Sequence, residues 1–146
     1  MASWKNILED IRDQINTGTY TPTFTATRSY IPKDKMITLD NYSVVVFPRT
    51  EDRERLNRSA YKATYGATVA VSIKLAATAK DEGLDAPLVL VSQIMAVLQD
   101  FNYSSIKVRT VEIQNNPVYD YQKFGDSSIF QSLINLTLEG EIDANR

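Results

Sequence analysis

Tyr61-Lys62-Ala63-Thr64-Tyr65-Gly66-Ala67-Thr68-Val69-Ala70-Val71-Ser72-Ile73-Lys74-Leu75-Ala76 is the longest extended pattern in the chain. Ala67, Val69, Val71, Ile73 and Leu75 alternate with Thr68, Ala70, Ser72, Lys74 and Ala76. A period of two is that of a strand with one face on a core. Gly66 interrupts the pattern and marks a bulge or bend. Just before it, Tyr42 to Phe47 is a nearly continuous apolar run closed by Pro48, which reads as a strand buried on both faces.

Toward the N-terminus, Trp4, Ile7, Leu8, Ile11 and Ile15 recur at spacings of three and four, one face of a helix. Ser3 is a good N-cap and Gly18 a good stop. Burying that face contributes roughly 1.5–3 kcal/mol per large side chain. A helix this short still needs a sheet beneath it. Thr21 to Ile31 is rich in threonine and aromatics. Phe24, Ala26, Arg28 and Tyr30 share one strand face, Thr23, Thr25 and Thr27 the other, and Pro32 ends the strand.

Toward the C-terminus, a second helix is expected from Asp85 as N-cap, with Pro87 in its first turn and Leu88, Val91, Ile94, Met95 and Leu98 as its apolar face. Ser105 to Ile113 reads as a strand. Its apolar positions switch parity between Val108 and Val111, the mark of a bulge or of cover on both faces. Asn115-Asn116-Pro117-Val118-Tyr119-Asp120 follows as a proline-held turn with an aromatic anchor. A spacer through Phe124 and Gly125 leads to a closing strand, Ile129 to Leu138. The expected fold is a single α+β domain over residues 1–146. It has a mainly antiparallel sheet of about five strands, with two amphipathic helices on one face, in the order α-β-β-β-α-β-β.

The 146 residues suit one core, and 43% hydrophobic with 23% charged residues is ordinary for a globular domain. A net charge of −2 and a pI near 5.1 provide no global basic field for nucleic acid or anionic membrane. The charge is uneven: residues 1–74 hold 11 Lys+Arg against 8 Asp+Glu, and residues 75–146 hold 5 against 10. Such asymmetry suits a molecule that meets copies of itself head to tail. No cysteine is present, so no disulfide framework is expected. Met1 to Asn6 lacks the apolar core of a signal peptide, and no apolar run approaches a membrane span. The glycosylation-type triplets at Asn41, Asn57, Asn102 and Asn135 are accordingly read as coincidence.

Motifs for chemistry are sparse. The chain has no histidine and no phosphate loop. Asp81, Glu82 and Asp85 invite a metal reading, but a hard cation needs six or more oxygens from a spaced loop, and acids before a helix also favour its positive end. Nucleophilic catalysis needs a base beside a serine or threonine, and Lys74 and Lys80 have no evident serine partner. Asp100, Glu112 and Asp120 form no pair that the sequence brings together. No enzyme activity, metal or cofactor is expected. Arg49, Arg53, Arg55 and Arg58, interleaved with Glu51, Asp52 and Glu54, form the sharpest charge feature. It reads as a solvated hairpin tip or as a protein contact, with phosphate binding the weaker alternative because the acids nearly cancel the arginines. The eight tyrosines suit half-buried strand faces and also interfaces.

Several segments, in order, resemble the tail terminators of tailed bacteriophages, also called tail completion proteins. They are the N-terminal amphipathic helix; Phe24-Thr25-Ala26-Thr27-Arg28-Ser29-Tyr30-Ile31-Pro32; Leu39 leading into Val44-Val45-Val46-Phe47-Pro48-Arg49 and a charged loop; Val71-Ser72-Ile73-Lys74 before the second helix; and Asn116-Pro117-Val118-Tyr119-Asp120 before Phe130-Gln131-Ser132-Leu133-Ile134-Asn135-Leu136-Thr137-Leu138. The resemblance spans nearly the whole chain. It implies a non-enzymatic virion protein of the tail–neck junction, present in host cytoplasm during assembly. Such a protein forms a hexameric ring that caps the tail tube and ends its polymerisation. Implied partners are further copies of itself, the tail tube protein, neck or connector proteins and, in contractile tails, the sheath. DNA only passes through the pore, and no membrane is involved. The charged Arg49–Arg58 loop and the Thr-rich first strand depart from the pattern and leave the bound neighbour and the tail type open. Alternative readings are another head–tail connector or head-completion protein, and a small-ligand or nucleic-acid-binding α+β domain. Arg49, Arg53, Arg55, Arg58, Tyr61, Tyr119 and Tyr121 are the candidate residues for subunit or tube contact.

Overall fold

Ser3 and Gly18 bracket the first helix, α1 (Trp4–Thr17). The Ser3 Oγ accepts from the Asn6 N–H, and Gly18 ends the helix in an extended conformation. A side chain at Gly18 would collide with the Tyr20 ring, which folds back so that its hydroxyl donates to the Ile15 carbonyl at 2.7 Å. A computed structural model describes residues 3–20, 22, 24–30, 41–76, 81–99, 102–103 and 108–143, with side chains at all of these except 81–82, 102–103 and 142–143.

After α1 come β1 (Ala26–Arg28), β2 (Ser43–Asn57) and β3 (Ala60–Lys74). A single 3-10 turn (Asp81–Leu84) leads into α2 (Asp85–Leu98). Then follow β4 (Asn102–Tyr103), β5 (Val108–Gln114), α3 (Tyr121–Ser127) and β6 (Ile129–Asp143). The strands form one sheet in the order β1-β2-β3-β6-β5-β4. β1 runs parallel to β2 and every other pairing is antiparallel. The domain is therefore α+β, as expected. The sheet is mixed, with a two-residue sixth strand and a third helix that the sequence reading did not contain. Pairing direction is set by the route of the connection between strands, which local periodicity does not encode.

Alternation along β3 and β6 makes the core. Ala63, Tyr65, Ala67, Val69, Val71 and Ile73 are buried on one face of β3, and the register sets Leu138, Leu136, Ile134, Ser132 and Phe130 of β6 beside the last five. Ile7, Leu8, Ile11 and Ile15 of α1 and Leu90, Val91, Ile94 and Leu98 of α2 close over that face. The two helices are tied by the Gln14 Nε2, which donates to the Val97 carbonyl at 3.2 Å. In α2 the inward positions are Leu90, Val91, Ile94 and Leu98, while Leu88 and Met95 are only partly buried.

Several boundaries differ from the sequence reading. The first strand is only Ala26–Arg28 in the described residues, and Tyr30 is exposed; Pro32 and Leu39 lie outside them. Pro48 does not close its strand. The Val46 carbonyl faces β1, where it accepts from the Ser29 N–H, so Pro48, two residues on, faces the same edge beyond the end of β1. No ladder bond is lost there, which is how proline is tolerated in an edge strand. Register shifts at Pro48/Thr50 and Arg55/Asn57 make Arg49 and Leu56 the extra residues of two bulges. Asp85 is not the cap of α2 but its first residue, after Leu84. The parity switch in β5 is a bulge: register shifts between Thr110 and Glu112, leaving Val111 exposed. The start of that strand at Ser105 lies outside the described residues. The spacer before β6 is helical, because the Asp120 carboxylate caps α3 by accepting from the Lys123 N–H at 3.0 Å.

Candidate functional site

Length mismatch positions the first candidate surface. The 15 residues of β2, β3 or β6 extend about 50 Å at ~3.4 Å per residue. The 14 residues of α1 or α2 span about 21 Å at 1.5 Å per residue. The helix layer therefore covers only part of the sheet. Trp4, at the start of α1, meets Tyr65 edge-on with ring centroids 5.5 Å apart. Beyond Tyr65 the strands continue as an arm: Ala63 is still buried and β5 still flanks β6 at Gly140, while β2 is exposed from Arg49 to Asn57.

The arginine-rich segment lies on this arm. It is strand rather than loop: β2 stays paired with β3 as far as Asn57, and only Arg58 and Ser59 form the turn. The Asn57 Oδ1 accepts from the Ser59 N–H at 2.8 Å and the Ser59 hydroxyl at 3.0 Å, the local bonding that favours Asn in turns. Arg49 sits at the bulge by Gly66, its Nη2 3.5 Å from the Leu136 carbonyl of β6. A Cβ on Gly66 would collide with the Thr50 hydroxyl and come within 2.9 Å of the Arg49 Nη2. The glycine thus makes room for the bulge across the strand rather than forming one itself.

Register divides the arm into two faces. Glu51, Arg53 and Arg55 stand opposite Tyr65, Ala63 and Tyr61, on the core side of the sheet, where Tyr65 and Ala63 are themselves buried. Arg53 pairs with Glu51 at 3.2 Å. The Arg55 guanidinium lies 5.3 Å from the Tyr61 ring centroid and donates to the Tyr61 hydroxyl at 3.0 Å and to the Arg58 carbonyl at 3.4 Å. On the other face Asp52, Thr64 and Glu139 form one cross-strand row, and Glu54, Lys62 and Glu141 the next. Lys62 bonds Glu139 at 2.8 Å. That bond and the Glu139 charge hold the Lys62 ammonium above its ordinary value, with Glu54 adding to the effect and desolvation and Arg109 opposing it.

The second candidate surface is the turn before β6. β5 pairs with β6 only from Asn135 onward, so the first half of β6 needs other partners. The Asn115 Nδ2 donates to the Ser132 Oγ at 2.8 Å and the Leu133 carbonyl at 2.9 Å. The Ser132 Oγ donates to the Val118 carbonyl at 2.7 Å, and the Asp120 N–H to the Gln131 carbonyl at 2.9 Å. Tyr119 stacks on Phe130 at 5.6 Å and meets Phe124 and Tyr121 edge-on. Tyr119 is thus an anchor, while Tyr121 is 63% exposed. Tyr121 lines a cleft of about 510 Å³ with Asn116, Pro117, Tyr119, Gln131 and Leu133. Leu133, which the sequence reading did not select, is 43% exposed although it lies in a strand; its place in the alternation of β6, out of phase with Ile134 and Ser132, was the available signal. The structure does not unite the two surfaces: the cleft flanks the start of β6 and the arm contains its end.

Among the described residues no cluster of acids is arranged to hold a metal ion, and no helix is long and apolar enough to cross a membrane. Asp85 is exposed at the start of α2, and the side chains of Asp81 and Glu82 lie outside the described residues, as do Lys80 and Asp100. The sequence matches no protein-family model and no curated protein.

Proposed function

We propose that this chain is a structural virion protein of a tailed bacteriophage: a non-enzymatic tail terminator whose ring, hexameric as in the family it resembles, caps the tail tube and joins it to the neck. The observation that carries the reading is the exposed arm. A domain whose β2 leaves the core after Val46 and extends the rest of that strand as a charged, ordered hairpin with β3 presents a surface suited to protein contact. Head-to-tail rings need two different complementary surfaces on each subunit. The arm and the aromatic cleft at opposite ends of β6 supply two such candidates. In this reading the partners are further copies of the chain, tube protein and neck or connector proteins, with the sheath added in a contractile tail.

The test is tube assembly with and without this protein, reading tube length by negative-stain imaging. Long, unregulated tubes in its absence, restored to a fixed length by its addition, are the expected result. Tubes of unchanged length in both reactions would sink the reading. Binding to neck components without any effect on tube length would favour a head-completion role instead. Retardation of DNA with a steep salt dependence would replace it with a nucleic-acid-binding role.

A further inference from the structure

The two faces of the arm carry unbalanced charges of opposite sign. On the core-side face Arg53 is paired with Glu51, but among the described residues Arg55 meets only the Tyr61 ring and hydroxyl and the Arg58 carbonyl. Arg58 adds a further positive charge at the tip. On the opposite face Lys62 is engaged by Glu139, while Asp52, Glu54 and Glu141 have no salt bridge to any cation among the described residues. Arg109 of β5 stands opposite Glu139, toward the body, and leaves the tip rows of that face acidic. Lys62 stands between Glu54 and Glu141 and offsets part of their charge, yet this face still sets the four acids Asp52, Glu54, Glu139 and Glu141 against the two cations Lys62 and Arg109.

We infer that the arm is a subunit contact in which the acidic face of one copy stacks on the basic face of the next. This deepens the ring reading above and rests on it. The occupant follows from symmetry and charge. A two-fold contact would place like face on like face, Glu54 and Glu141 against their own copies. A head-to-tail contact places Asp52, Glu54 and Glu141 against Arg53, Arg55 and Arg58. Only the second arrangement brings unlike charges together, and head-to-tail contacts are the kind that close into rings. Tyr61 lies in the middle of the basic face, half-buried, and supplies the flat apolar area that a stacked sheet needs.

The test uses the full chain and two charge-reversed variants, with circular dichroism confirming the fold of each. Arg53→Glu with Arg55→Glu makes both faces acidic. Asp52→Lys with Glu54→Lys and Glu141→Lys makes both faces basic. Native mass spectrometry and sedimentation read the oligomer. Wild-type protein forms a closed oligomer that weakens with salt as the Debye length falls from about 10 Å at 0.1 M to about 3 Å at 1 M. Each variant alone associates on the order of 100-fold more weakly. Mixed in equal amounts, the two restore an oligomer of one-to-one composition and even copy number, because each face again meets its opposite. A wild-type monomer at both salt concentrations overturns the inference, as does a mixture that fails to associate. Rings indifferent to both reversals overturn the arm contact but leave the ring reading standing. Arm-dependent rings without effect on tube length overturn the capping role but leave the contact standing.

Discussion

The Asn16 side chain of α1 brackets the backbone of Ala26 in β1. Its Oδ1 accepts from the Ala26 N–H at 2.8 Å and its Nδ2 donates to the Ala26 carbonyl at 3.3 Å. Ala26 is buried, and β1 is the outermost strand of the sheet among the described residues, so these groups meet no further strand there. A helix side chain therefore closes a sheet edge, reinforced by the 3.3 Å pair between Arg28 and Glu9.

Asn16→Ala is expected to destabilise the domain by about 1–3 kcal/mol, since it strands a buried donor and acceptor. Urea denaturation measures the loss. Hydrogen exchange should show the Ala26 amide opening while Val69 and Val71 in the central strand stay protected. Unchanged stability and unchanged exchange at Ala26 would contradict the bracketing role.

Gly66→Ala places a methyl group against the Thr50 hydroxyl and the Arg49 guanidinium. The expected cost is about 1–3 kcal/mol, the range for overpacking. Thr50→Ala removes the closest opposing atom, so the double variant should recover part of the loss. Strict additivity of the two changes in urea denaturation would show that the bulge is not what requires glycine.

Tyr65 is 1% exposed and its hydroxyl has no hydrogen-bond partner among the described residues. Tyr65→Phe should leave stability at pH 7 unchanged or raise it by about 1 kcal/mol, because no bond is lost and a desolvated group is removed. Burial, with a contribution from Glu51 and opposition from Arg53, holds the phenol above its ordinary value of 10.0. Burial does the same for Tyr20 and Tyr42. A raised folded-state pKa means the native protein keeps protons that the unfolded chain releases. That contribution is complete below pH 10 and is lost as pH rises through the folded value. Tyr65→Phe should therefore flatten the fall in stability above pH 10. A variant with the same alkaline slope as wild type would refute the assignment.

Tyr119 and Tyr121 should separate into an anchor and a surface residue. Tyr119→Ala removes the stack on Phe130 and the edge contacts to Phe124 and Tyr121, at a cost of roughly 2 kcal/mol for a half-buried ring. Tyr121→Ala should change stability by no more than about 0.5 kcal/mol. If the cleft meets a partner, Tyr121→Ala lowers capping of tail tubes at unchanged stability. Equal destabilisation by both changes would show that the split is wrong.

The sequence by itself determined the faces. Threefold and fourfold spacing in Trp4–Ile15 selected the helix side that packs, and strict alternation in Ala67–Ile73 selected the strand side. Ser3, Gly18 and the parity switch at Val111 announced a cap, a stop and a bulge. These signals are local: each is written within a turn of helix or a few strand residues. What the sequence misjudged was extent. Pro48 and the charged residues behind it read as an end and a loop, yet β2 runs on to Asn57 because β3 pairs with it throughout and the proline falls on the opposite edge, beyond the end of β1. The Phe124–Gly125 spacer is helical because Asp120 caps it and Tyr119 holds it against Phe130. Only the tertiary structure decided that β1 lies parallel to β2 and that Asn16 closes its edge. Only cross-strand register could sort the mixed charges of 49–58 into a basic face and an acidic one. Which residues stand opposite one another is fixed by partners far away in sequence, and local pattern carries no record of them.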